Sequence, residues 1–133
     1  MAGITDIKVL LKKMRPVLDK KDYVFSTKEC YKINEDIIAL DPIATFLESE
    51  GMTIVVTKMN ADKHNLSYDA IFNKITLEVH SSLEAVGLTA AISTALTSND
   101  ISANVVAGYY HDHIFVPKEK ARLALEILEG LTK

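Results

Sequence analysis

The sequence predicts an α+β fold of two similar units, with antiparallel sheets that carry helices on one face. Segments with strand and helix patterns alternate along all 133 residues. The first half has the order α-β-β-α-β and the second half β-α-β-β-α, so each is a βαββαβ unit that lacks one strand. A unit of about 65 residues buries its core poorly alone, so the two must pack together. A shared or exchanged strand would complete both units.

Short internal matches support the division into two units. Residues 50–53 (EGMT) match residues 129–132 (EGLT), each at a predicted helix end. Residues 23–26 match residues 114–117, each in a strand. We therefore expect a first unit at residues 1–66 and a second at residues 67–133.

The first half begins with a helix over residues 4–14, where apolar residues recur at helical spacing before Pro16 ends the pattern. A strand–turn–strand follows, with its turn at residues 19–22. Residues 31–40 fit a small hairpin that turns at Asn34. Asp41 and Pro42 have the pattern of a helix start, which predicts a helix closed by Gly51. A strand over residues 52–59 and a polar loop over residues 60–68 complete this half.

The second half begins with a strand over residues 70–79. Ser81 and Glu84 have the spacing of a capping box, which predicts a helix from there to about residue 98. Strands follow at residues 102–107 and 113–116 around Gly108. Pro117 opens a last helix, which Gly130 closes. The helices of this half turn two apolar faces inward, made of Leu88, Ala91, Ile92, Ala95 and Leu96 and of Ala121, Ala124, Leu125 and Leu128.

Composition and charge restrict the class of partner. The formal net charge of −3 argues against nucleic acid, because phosphate binding needs a cationic surface. Cys30 is the single cysteine, so no disulfide forms within the chain, which fits a reducing compartment. No apolar run reaches the length of a membrane span, and the amphipathic N-terminus differs from a signal peptide. We expect a cytoplasmic protein.

Two motifs carry a resemblance to a known family. They read H-S-S-L-E-A-V-G-L-T over residues 80–89 and N-V-V-A-G-Y-Y-H-D-H-I-F-V-P over residues 104–117. Together with the βαββαβ order they resemble the ACT domain, a ferredoxin-like regulatory module that binds amino acids and related small ligands. More closely, the chain is similar to small bacterial tandem-ACT proteins of unassigned function.

The resemblance implies a ligand site where the first loop of one unit faces the hairpin of a neighbouring unit. The ACT loop pattern Asp-x-Pro-Gly falls near Glu84 and Gly87, without the proline. The expected ligand residues lie in this loop and in the strand and bend that form the other wall. They are Ser81, Ser82, Leu83, Glu84, Val86, Gly87, Leu88, Asn104, Val105, Val106, Gly108, Asp112 and His113.

Helix-terminus chemistry favours the same place. The free amides and partial positive charge at a helix start suit a carboxylate, and Glu84 or Asp112 would hold an ammonium group. The alternative is that Ser81 and Glu84 only cap the helix and that Gly87 only serves packing.

Rival chemistries have weaker signals. His111 and His113 share a strand face that His80 would approach, an arrangement that would suit zinc. The serines beside His80 lack the further groups of a catalytic triad. We therefore expect a non-enzymatic sensor without a cofactor, which binds an amino acid or related carboxylate. We further expect a homodimer that has no membrane or nucleic-acid partner and acts on an unidentified protein. The alternatives are a structural or protein-interaction module without a ligand and a histidine-based metal-binding protein.

Overall fold

The computed structural model describes residues 7–79 and 87–133. Five helices and six strands are described along these residues. The helices are α1 (Ile7–Lys13), α2 (Glu35–Ala39), α3 (Lys58–Lys63), α4 (Leu88–Thr97) and α5 (Ala121–Gly130). The strands are β1 (Arg15–Lys28), β2 (Ala44–Glu48), β3 (Gly51–Thr57), β4 (Phe72–Glu78), β5 (Asn104–Ala107) and β6 (Asp112–Pro117). The strands hydrogen-bond in the order β2-β3-β1-β4-β6-β5 in an antiparallel sheet.

The chain divides into two compact units. Unit 1 consists of Met1–Lys20 and Asn73–Lys133, and unit 2 of Lys21–Phe72. The strand β1 passes from unit 1 into unit 2 after Lys20. Its first part lies beside β4, so unit 1 has the strand order β1-β4-β6-β5. An N-terminal segment therefore supplies the strand that the second half of the sequence lacks, as the pattern of a shared strand predicts.

Unit 1 packs all of its helices on one face of its strands. Alternate residues of β4 and β6 point into a core that is completed by α1, α4 and α5. The predicted inward faces of the last two helices are confirmed for most of their residues, because Leu88, Ile92, Leu96, Ala121, Ala124 and Leu128 are buried and Leu125 packs against the core. The apolar periodicity in this half therefore located both helices, but the predicted start of the first at Ser81 was wrong, because α4 begins at Leu88 after its N-cap Gly87.

The other face of unit 1 carries polar pairs between strands. Arg15 on β1 pairs with Glu78 on β4, and the Nζ of Lys74 lies 3.6 Å from the Oδ2 of Asp19. On β4, Lys74 is followed by Ile75 and Glu78 is preceded by Leu77, and both of these apolar residues face the core. The alternation along β4 thus separates an apolar face from a polar one.

Unit 2 has a smaller core beneath two short helices. Its members come from β1, β3, α2 with its C-cap Leu40, and α3, and the largest are Ile37, Leu40, Met52 and Ile54. The strand β3 pairs antiparallel with both β1 and β2, with Tyr23 opposite Thr57 and Glu48 opposite Gly51. The order β-α-β-β-α in this unit repeats the order of β4 to α5 in unit 1.

Several predictions for the first half were wrong. The predicted turn at residues 19–22 lies inside the single 14-residue strand β1. Asn34 begins α2 rather than a hairpin turn, because its side chain accepts a hydrogen bond from the Ile37 N–H at 3.0 Å. Residues 58–63 form α3 where a strand end and a loop were expected.

The helix predicted from Asp41 to Gly51 was also wrong. Asp41 adopts a left-handed conformation (φ 51°) instead of capping a helix, and residues Ala44–Glu48 pair with β3 as β2. Gly51 opens β3 instead of ending a helix, so the proposed match between residues 50–53 and 129–132 joins different elements. Gly130 is the last residue of α5, and the helix cap is Leu131.

Candidate functional site

The hairpin between β5 and β6 closes through a bend of four residues. The ladder runs from Asn104 opposite Phe115 to Ala107 opposite Asp112. At the bend the Gly108 N–H donates to the His111 carbonyl oxygen at 2.9 Å. A Cβ atom at Gly108 would lie 2.8 Å from that oxygen. Residue 108 must therefore be glycine for the bend to close this tightly.

One hydrogen bond ties this hairpin to β4. The Thr76 Oγ1 and the His113 Nδ1 lie 2.9 Å apart, on the face of the sheet opposite the core. Because β4 and β6 run antiparallel, the residues that follow Thr76 lie beside those that precede His113. The chain therefore leaves β4 next to the bend of the hairpin in the same unit, whereas the resemblance implies a loop that faces the hairpin of a neighbouring unit.

Burial shifts the pKa values of the two titratable side chains at the start of β6, Asp112 and His113, in opposite directions. Partial burial lowers the pKa of His113, and the charges of Lys74 and His111 lower it further. Burial raises the pKa of the Asp112 carboxyl, while His113 and His111 partly offset this rise. Burial thus makes the charged form of each side chain less favourable than it is in water, and a ligand charge near them would change that balance.

His111 carries an unsatisfied buried atom. Its Nδ1 is shielded from solvent and has no hydrogen-bond partner among residues 7–79 and 87–133. Such atoms are uncommon in native proteins, since a buried polar atom without a partner costs about 1–3 kcal/mol. A polar ligand at the bend would meet this atom, whereas Asp112 and His113, which follow His111 in β6, point to opposite faces of the sheet.

The helix α4 begins at Gly87, which is its N-cap. Gly87 has a φ of 96°, a conformation that residues with a side chain rarely adopt, and as a glycine it supplies no side-chain cap to the helix. The four amides at the start of a helix have no partner within it, and they attract anions. The predicted capping box of Ser81 and Glu84 lies outside the described residues.

The predicted ligand residues occupy several different environments. The side chains of Leu88 and Val105 belong to or pack against the core of unit 1. Val106 lies opposite His113 in the ladder and is partly exposed. The Asn104 side-chain amide donates to the Phe115 carbonyl oxygen at 3.4 Å. The predicted residues Ser81, Ser82, Leu83, Glu84 and Val86 lie outside the described residues.

The site list from the sequence omits Lys74, Thr76 and His111. Lys74 and Thr76 alternate along β4 with the buried residues Ile75 and Leu77. This alternation was the sequence signal that could have placed them on the face opposite the core. The bend also carries Tyr109 and Tyr110, which are exposed and pack edge to face at 5.1 Å between ring centroids. No cluster of three possible metal ligands occurs within residues 7–79 and 87–133, and His80, the third histidine of the zinc alternative, lies outside these residues.

Replacement of Gly87 by alanine should lower the free energy of unfolding by about 1–3 kcal/mol. The cost comes from the positive φ, since no atom would lie within 4 Å of the added Cβ. Gly130→Ala is the matched control, because it also adds a methyl group in open space but lies at a helix end without a positive φ. Denaturation by urea, followed by circular dichroism, should show a loss for Gly87→Ala alone. Equal changes in both variants would contradict this reading of Gly87.

Comparison with known proteins gives the family. Models of the ACT domain match residues 2–73 and, separately, residues 71–130. The chain belongs to the ACT domain family. It is a tandem-ACT protein, as the two sequence motifs predict. ACT domains are regulatory rather than catalytic modules.

Solved structures agree with this family and fold. A Vibrio cholerae protein of unknown function, described as a possible transport protein, shares 51% identity with a TM-score of 0.86, and 95% of each chain is covered. The regulatory subunit of aspartate kinase from Thermus thermophilus shares 11% identity with a TM-score of 0.60 over 89% of this chain and 97% of that one. An Agrobacterium tumefaciens protein shares 12% identity with a TM-score of 0.73 over 90% and 89% of the two chains. A search of curated proteins returned no match.

Among the described residues, no helix is both long and apolar enough to span a membrane.

Proposed function

We propose that this tandem-ACT protein is a non-enzymatic sensor that binds an amino acid or a related small carboxylate. The ligand lies between the loop that follows β4 and the hairpin of β5 and β6. The observation that carries this proposal is the hydrogen bond between Thr76 and His113, which holds the exit of β4 beside the bend. The ligand-binding residues remain those expected from the sequence, joined by Thr76 and His111.

Each end of such a ligand has a partner. The carboxylate is placed at the uncapped start of α4, where Gly87 leaves room for close approach. The ammonium group is placed at Asp112, whose carboxyl has a raised pKa because it is partly buried. A nearby positive charge favours the ionised carboxylate, so binding of the ammonium group and ionisation of Asp112 support one another.

The regulatory output requires a partner beyond this chain. We propose a cytoplasmic homodimer whose packing the ligand stabilises and which an unidentified protein then recognises. Exposed apolar side chains on and beside the edge strand β2 support such a contact: Ile43, Phe46 and Leu47. The same surface favours the second candidate function, a protein-interaction module without a ligand. Light scattering measures the oligomeric state directly.

A thermal-shift screen of the common amino acids tests the sensor function. A ligand that binds only the native state stabilises it by about 2.7 kcal/mol at roughly 100 times its dissociation constant. We expect at least one amino acid to raise the melting temperature of the wild-type protein. His113→Ala should reduce this shift, whereas His64→Ala, a histidine of unit 2 outside the proposed site, should leave it unchanged. If no amino acid raises the melting temperature at millimolar concentration, the interaction module becomes the better account.

A further inference from the structure

A cavity lies within unit 2. Its volume is about 500 Å³, which is within the range of small-molecule sites. It lies where the part of β1 in this unit begins and where β3 ends in α3, since Tyr23 is opposite Thr57. The loop from β1 to α2 leaves the opposite end of the same strands. The cavity is therefore not the counterpart in unit 2 of the loop that was predicted to bind ligand in unit 1.

One part of the cavity wall presents an aspartate without a partner. Asp41 has a φ of 51°, and its N–H donates to the Ile38 carbonyl oxygen at 3.0 Å. The adjacent Leu40 carbonyl oxygen accepts a hydrogen bond from the Asn60 side-chain amide at 3.1 Å. These bonds hold the turn at a fixed place on the wall. Within the described chain, no hydrogen bond or ion pair engages the Asp41 carboxylate, which is a natural acceptor for an ammonium group.

Another part of the wall presents a lysine held in place by a small network. The Lys58 Nζ lies 2.7 Å from the Asp62 Oδ2, and the Tyr68 hydroxyl donates to the Asp62 Oδ1 at 2.7 Å. The hydrogen bond and charge of Asp62 raise the pKa of Lys58, which keeps this amine protonated. Asp62 uses one of the three donors of the ammonium group and Tyr68 also interacts with it, so at least one donor is left for an anionic group.

We propose that this cavity binds a small zwitterion, with its ammonium group on Asp41 and its anionic group on Lys58. Lys21, Asp22 and Asp62 also line the cavity, so its wall carries charges of both signs. A zwitterion can contact a positive and a negative group of this wall at once, whereas a simple anion or a simple cation can contact only one of the two.

The straight-chain ω-amino acids from glycine to 6-aminohexanoate test this proposal and measure the distance between the two charges. Each is titrated into the ¹⁵N-labelled protein, with pentylamine and pentanoate as probes that carry one charge only. We expect one chain length to shift the amide resonances of Asp41, Lys58 and Met59 in a saturable manner. Pentylamine and pentanoate should bind at least about tenfold more weakly, because each loses a charge-assisted hydrogen bond.

Matched variants assign the two charges. Asp41→Asn should weaken binding by about tenfold or more, whereas Asp100→Asn should not, although Asp100 has nearly the same backbone conformation (φ 58°). Lys58→Gln should weaken binding likewise, whereas Lys63→Gln at the end of the same helix should not. Absence of saturable shifts in unit 2 with every chain length would overturn the proposal. Shifts confined to Gly108, Asp112 and His113 would also overturn it while leaving the hairpin site intact.

Discussion

Gly51→Ala should lower the free energy of unfolding by about 3–5 kcal/mol, the largest effect expected for a single methyl group in the described chain. Gly51 has a φ of 143°, which a residue with a Cβ rarely adopts, and this strain costs about 1–3 kcal/mol. The added Cβ would also lie 2.8 Å from the Lys28 carbonyl oxygen. Because that oxygen belongs to the backbone at the end of β1, relief of the clash requires the strands to move apart.

The control for this variant is Gly130→Ala, which adds the same group where nothing lies within 4 Å. Urea denaturation followed by circular dichroism is the suitable measurement, since the chain has no tryptophan. We expect a large loss for Gly51→Ala and a change of less than about 1 kcal/mol for Gly130→Ala. A loss below about 1 kcal/mol for Gly51→Ala would show that the hairpin of β2 and β3 does not need its present conformation.

Gly108→Ala should abolish ligand binding at the hairpin and lower stability by about 2–3 kcal/mol. The new Cβ would approach the His111 carbonyl oxygen to 2.8 Å and the His113 Nε2 to 3.3 Å. The bend must then open, which weakens the hydrogen bond from the Gly108 N–H. It also displaces His111 and His113, so stability and binding should fall together.

Leu128→Ala separates these two effects. Leu128 is fully buried in the core of unit 1, and its truncation should cost about 2–5 kcal/mol without any change at the bend. Calorimetric titration with the amino acid found by the thermal-shift screen should give normal affinity for Leu128→Ala and no binding for Gly108→Ala. Equal affinities in the two variants would show that the bend does not contribute to the site.

The second half of the chain could be predicted because local and tertiary signals agree there. Ile75 and Leu77 alternate with polar residues, as expected for a strand with one buried face. Leu88, Ile92 and Leu96 recur at helical spacing and are all buried. Each element could therefore be recognised from its own residues.

The first half differs because pairing between strands outweighs local preference. Asp41 and Pro42 have the pattern of a helix start, but the following residues pair with β3, and Phe46 and Leu47 remain largely exposed on that strand. Their apolar character favours the face of a helix when the sequence is considered alone. Register with β3 depends on residues distant from this segment, and local patterns do not contain that information.

The candidate site was predictable in outline rather than in its contacts. The sequence motif indicated Asp112 and His113, and the structure adds Thr76 as the partner of His113. That contact joins residues 37 positions apart and depends on the order of the strands. The buried, unpaired Nδ1 of His111 likewise follows from the shape of the bend, which the sequence does not specify.

The central claim is that an amino acid binds at the bend between β5 and β6. An NMR titration of the ¹⁵N-labelled protein with the amino acid found by thermal shift tests it most directly. We predict saturable changes in the amide resonances of Gly87, Gly108, His111 and His113, with small changes in unit 2. Saturable changes that avoid these residues, or no saturable change with any common amino acid, would contradict the claim.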